Sequence, residues 1–250
     1  MMNANWINEA HCDIHGARGL SRRDFLVSML IASGAVVVGT NGLLEAAPAR
    51  PWAKAWPKDW PTKAKPLVVD TKNHVVKMYT EVSLRHLTET TPHWGIGCHT
   101  GKYADKFILI SPAEPLDFHD ALVRIGAKAG NNLAPDSYGK SVAGDRLNVT
   151  ASWPGLKKSF DISDIFYDST GKGYQIRFGG NRATSEKMKT GCLTCLESCP
   201  ISITSNTVYP HLSGIQRKII PNSQFRGKPE VLPNTEAFPV VVFYRISSGS

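Results

Sequence analysis

The run Gly191-Cys192-Leu193-Thr194-Cys195-Leu196-Glu197-Ser198-Cys199-Pro200 constrains this chain more than any other stretch. Its spacing is C-x2-C-x3-C-P, and two residues between thiols let a tight turn aim both sulfurs at one point. Backbone amides in such a turn can also donate to bound sulfur, which tunes a redox centre. The closing Cys-Pro matches the end of the bacterial ferredoxin run C-x2-C-x2-C-x3-C-P, with the first cysteine lacking. The expectation is a cysteine-rich loop late in the chain that brings Cys192, Cys195 and Cys199 together.

A cubane needs four ligands, and only Cys98 and Cys12 remain among the five cysteines. Cys98 lies in His93-Trp94-Gly95-Ile96-Gly97-Cys98-His99, a Gly-rich turn where backbone can approach a bulky inorganic group. Folded onto the triplet, Cys98 completes a four-thiolate set suited to a [4Fe–4S] or [2Fe–2S] centre. His93 or His99 are the substitutes, as imidazole is in Rieske centres. Two other readings stay open. Four thiolates also suit structural zinc, or copper, although a second C-x2-C pair is absent. An even cysteine count in an oxidising compartment suits two disulfides.

Compartment is read from the N-terminus. Ser21-Arg22-Arg23-Asp24-Phe25-Leu26 followed by the apolar run Val27 to Val38, with Ala47-Pro48-Ala49 beyond, has the form of a twin-arginine export signal. The apolar run is shorter than the roughly 18 residues a membrane span needs, so no stable anchor is expected. Residues 1–49 are therefore assigned to the signal and the mature protein to the periplasm. The twin-arginine translocase is a transient partner. That route carries folded proteins, and an iron–sulfur cluster is inserted in the reducing cytoplasm before export. Cys12 falls within the removed part.

The rest reads as an α+β, strand-dominated single domain with one or two short helices. Residues 50–66 place Trp52, Trp56 and Trp60 among prolines, an extended leader that packs its indoles on the domain. Strands are expected at Leu67 to Val69, Val75 to Val82, Lys106 to Ser111, Arg146 to Trp153 and Ala237 to Ile246, with a turn at Asp70 to Asn73. Pro115 to Ile125 carries apolar residues at helical spacing and is closed by Gly126. Gly179-Gly180-Asn181 allows close backbone approach to a ligand or makes a tight turn. His119 between Asp117 and Asp120, and Asp161, Asp164 and Asp168, read as solvated faces. No H-E-x-x-H, G-x-S-x-G, Walker or haem-attachment motif occurs, and no general acid or base stands out.

In order and spacing, Gly126-Ala127-Lys128-Ala129-Gly130-Asn131-Asn132, Arg177-Phe178-Gly179-Gly180-Asn181, Thr190-Gly191-Cys192 through Ser205-Asn206, and Val231-Leu232-Pro233 resemble the YdjY family of exported bacterial ferredoxin-type proteins. The resemblance spans about Leu67 to Ile246, within a domain taken as 67–250. It implies an exported domain whose C-x2-C-x3-C segment holds a 4Fe-4S cluster, and it supplies no reaction. The expected activity is periplasmic electron transfer rather than catalysis, and the net charge of +8 suits an acidic partner. The cluster ligands would be Cys98, Cys192, Cys195 and Cys199. Lys172, Lys187 and Lys189 would steer an unidentified acidic redox partner. Nucleic acid is excluded as a partner by the compartment. The alternative is a disulfide-crosslinked or zinc- or copper-binding periplasmic protein without redox chemistry.

Overall fold

The computed structural model describes residues 56–213 and 219–247. Residues 1–49, expected to be an export signal, lie outside them, as do Cys12 and Trp52. Strands β1 (Leu67–Asp70) and β2 (Val75–Val82) form a hairpin whose turn is tied by Asn73, which donates from its backbone and side-chain nitrogens to the Asp70 carboxylate. A short helix α1 (Arg85–Thr88) leads into β3 (Trp94–Cys98), a 3-10 turn at Ala104–Lys106 and β4 (Leu109–Ser111). Helix α2 (Pro115–Arg124) follows, with Pro115 at its start, where a missing backbone donor costs nothing.

The second half contributes β5 (Arg146–Ser152), β6 (Phe160–Asp161), α3 (Ile162–Ile165), β7 (Phe166–Asp168), β8 (Ile176–Phe178) and α4 (Arg182–Met188). Then come β9 (Cys192–Cys195), β10 (Thr204–Asn206), β11 (Phe225–Gly227) and β12 (Pro239–Ile246). Eight of these strands close on themselves in the order β2-β12-β5-β8-β10-β9-β3-β4, with β4 returning to β2. Strand β1 is added beside β2, and β6 beside β5. The two parallel pairings, β3 with β4 and β9 with β10, flank the antiparallel pairing of β3 with β9.

Closure leaves no free edge within the ring and encloses an apolar interior. Met78, Ile96, Leu109, Phe178, Leu193, Val242 and Tyr244 are all buried there, and α2 adds Phe118, Ala121 and Leu122. Trp56 packs edge-on against Trp60, and Trp60 against Phe243 of β12, so these two indoles lie on the barrel. No helix among the described residues is long and apolar enough to cross a membrane.

Two expectations need correction. Four short α-helical segments occur among the described residues, rather than one or two. The segment read as a loop is a strand from Cys192 to Cys195, and only Cys199 lies in the following turn. The cause is the barrel itself. Leu193 fills the core, and the Thr194 hydroxyl bonds those of Thr204 and Tyr244 at 2.8 and 2.7 Å, which holds this stretch extended between β3 and β10. The aspartates also have structural duties. Asp161 caps α3 reciprocally with Asp164, while Asp168 accepts from Tyr209, Thr170 and Gly173.

Candidate metal-thiolate site

Strand β9 pairs with β3 through a register shift between Trp94 and Gly97. That irregularity matters because Cys192 and Cys195 are three apart, and regular pleating sends such positions to opposite faces. Here both pack in one cluster with Phe107, bordered by Trp94, Tyr103, Ile110 and Cys199. The structure thus brings Cys192, Cys195 and Cys199 together.

The Cys195 thiol hydrogen-bonds with those of Cys192 and Cys199. Burial pushes the Cys195 thiol well above its ordinary range, and the Cys192 and Cys199 thiols on either side add to the effect. Cys199 is held below the usual thiol range, first by its hydrogen bond with Cys195 and then by the backbone amides of Ile201 and Ser202. The Ile201 amide lies 3.4 Å from the sulfur. Those amides turn inward because Pro200 bends the chain directly after Cys199. Cys192 lies 3.2 Å from the Ser202 hydroxyl.

His93 stands in the same pocket, its Nδ1 3.3 Å from the Cys195 sulfur. Burial, followed by the charges of His211 and Lys106, lowers its pKa to about 3, so the ring is neutral and one nitrogen keeps a free lone pair. Cys98 is not brought to the triplet. A Cβ built on Gly97 would sit 2.1 Å from the Phe107 ring, which marks the face that Cys192 shares. The next residue, Cys98, points to the other face, where its sulfur lies 3.0 Å from the Thr100 hydroxyl and 3.5 Å from the Glu114 carboxylate. His99 is exposed and directs Nδ1 to the Ser111 carbonyl.

The four cysteines among the described residues are free. No group of three or more His, Cys, Asp and Glu side chains among the described residues has ready-made metal geometry. The donor set nevertheless fits a metal or cluster. Three thiols stand together in one largely buried pocket with a neutral imidazole alongside, and a thiophilic metal displaces thiol protons on binding. Cys192, Cys195 and Cys199 would hold the group, with His93 the nearest further donor.

Sequence reasoning missed what holds the Cys199 turn. Asn181, in left-handed backbone after two glycines, donates from its amide nitrogen to the carbonyls of Cys199 and Ser202, both at 2.9 Å. Its own backbone amide donates to Asn131 of the Gly130-Asn131-Asn132 turn at 3.0 Å. The Gly180 Cβ position is filled by Asn131, so the small residues seat these two turns against each other. Asn181→Ala leaves the part-buried Cys199 carbonyl and the buried Ser202 carbonyl without that donor. It is expected to cost about 1–3 kcal/mol of stability, measured by denaturant unfolding, and to loosen Cys199. The usable signal was the shared occurrence of an amide side chain after Gly-Gly. Elsewhere, His119, read as part of a solvated face, is largely buried, its ring tilted against Phe178 and its Nδ1 bonded to Asp120.

A YdjY domain model matches residues 67–245. The Escherichia coli (strain K12) protein named "Uncharacterized protein YdjY" is 35% identical over 183 residues, covering 73% of this chain and 80% of that protein. No solved structure matches the chain.

Proposed function

Starting from the chain's membership of the YdjY family, we propose that it is an exported iron–sulfur protein, carrying a 4Fe-4S cluster in periplasmic electron transfer. One observation carries this reading: the thiols of Cys192, Cys195 and Cys199 meet in a pocket where Cys195 and Cys192 are 0% and 2% exposed. Three converging thiolates are the ligand chemistry of such clusters, and burial and hydrogen bonds to sulfur set the potential. The cluster, when bound, supplies one-electron chemistry.

The chain's own residues have definable duties. Cys192, Cys195 and Cys199 bind, and the amides of Ile201 and Ser202 donate to the Cys199 sulfur and favour its charged form. Phe107 and Trp94 keep water from the sulfurs. His93 offers the fourth ligand that Cys98 was expected to give. The export signal and the acidic partner belong to the same proposal.

The neutral His93 beside the triplet favours one second reading, a Cys3His zinc site of structural type. One experiment separates the two. Mature protein purified anaerobically is expected to show iron, acid-labile sulfide and a paramagnetic signal on reduction. Stoichiometric zinc without sulfide favours the second reading. Neither metal in the purified protein, with the thiols in disulfides, overturns both.

A further inference from the structure

Of the apolar residues packed with the buried Cys192 and Cys195, Trp94, Tyr103, Ile110 and Cys199 are partly exposed, whereas Phe107 is buried. A partner docked on this face therefore comes close to the triplet. A chain of rings leads inward. Tyr103 lies 5.1 Å from Trp94 between ring centroids, and Trp94 lies 4.4 Å from His93, whose Nδ1 faces the Cys195 sulfur.

The rim of that face is basic. The ammonium groups of Lys102 and Lys106 stand 5.4 and 5.1 Å from the Tyr103 ring. Neither forms an ion pair among the described residues. Lys189 is exposed and adjoins them, its carbonyl accepting from the Lys102 amide at 3.1 Å. Asp105 is the one acidic residue within the 3-10 turn, which leaves the rim positive. Exposed aromatic area ringed by unpaired lysines is suited to a partner that carries carboxylates around an apolar centre.

We propose that the Trp94–Tyr103 face, rimmed by Lys102, Lys106 and Lys189, is the docking surface for an acidic-faced redox protein that exchanges electrons with the thiol-triplet centre. The proposal rests on the redox reading of that centre. The exchange moves one electron from the reduced donor to the oxidised acceptor, with no bond made or broken.

Two measurements test it. The first uses chromium(III) hexacyanide, a redox-inert paramagnetic trianion, with the mature chain as purified. Amide signals of Lys102, Tyr103 and Lys106 are expected to broaden at low salt, and the double variant K102E/K106E to lose that broadening. The second is stopped-flow oxidation of the reduced protein. The double variant is expected to slow oxidation by anionic ferricyanide by about tenfold or more at low ionic strength and to speed oxidation by cationic hexaammineruthenium(III). The spectrum of the centre itself should be unchanged. Broadening mapped to another face, or an unchanged ferricyanide rate in protein that carries its centre, overturns the docking surface while the redox reading stands. A purified chain with no reducible centre overturns both.

Discussion

Cys195→Ser is expected to give a folded protein whose iron and sulfide fall to background, while Cys98→Ser keeps both. The asymmetry follows from the pleat of β3. Cys195 sits between the other two thiols and beside His93, so its loss removes the ligand at the centre of the triplet. Serine's hydroxyl is a hard donor and does not replace thiolate on iron. Cys98 faces Thr100 and Glu114, where a serine hydroxyl can make the same hydrogen bonds. Metal and sulfide analysis of the two variants, with circular dichroism to confirm folding, checks the outcome. Loss of the centre in Cys98→Ser would return that residue to the ligand set and exclude His93.

Phe118→Ala is expected to cost about 3–5 kcal/mol of stability, the usual range for emptying a buried aromatic site. Phe118 is 0% exposed, and its ring lies 4.7 Å from that of Tyr244 on β12. Tyr244 is fully buried, which pushes its hydroxyl above the ordinary range, and that hydroxyl bonds Thr194 between the two cysteines of β9. The cavity would therefore remove support from the strand that presents Cys192 and Cys195. Denaturant unfolding gives the stability change. Tyr244→Phe, which keeps the ring and deletes the hydroxyl, should cost less, about 1 kcal/mol, because the Thr194 hydroxyl keeps its bond to Thr204.

Local pattern made several elements legible. Val75 to Val82 is a strand because it is β-branched and flanked by the Asp70 to Asn73 turn. Pro115 starts α2, and apolar residues at helical spacing bury Phe118, Ala121 and Leu122. The end of the chain alternates as a strand should and pairs on both sides, with β2 and β5. Barrel closure was not legible. It depends on β12 entering between β2 and β5 and on β4 returning to β2, and no short window of sequence encodes such pairings. Lys106 to Phe107 belongs to a 3-10 turn and its exit rather than to a strand, because Phe107 must cover Gly97 and the thiols.

The cysteine triplet was legible from spacing, and the misplacement of Cys98 has a specific cause. Gly97 looks like flexible turn chemistry, yet it is a strand residue left bare to admit the Phe107 ring. Reading it as a turn hid the alternation that sends Cys98 away from Cys192. His93 was only a substitute in the sequence because nothing local indicates that the β3–β9 pairing sets its ring against Cys195. Asn181 had no chemical signature of its own. Its role comes from long-range hydrogen bonds to the turn after Cys199.

Whether Cys192, Cys195 and Cys199 hold one inorganic centre is decided by peptide-resolved alkylation of the anaerobic mature protein, under denaturant mild enough to open the pocket and before and after chelation of its metal. The three thiols should be protected together and become reactive together as metal is released. Thiols that react one by one with the metal content unchanged would rule out a shared centre.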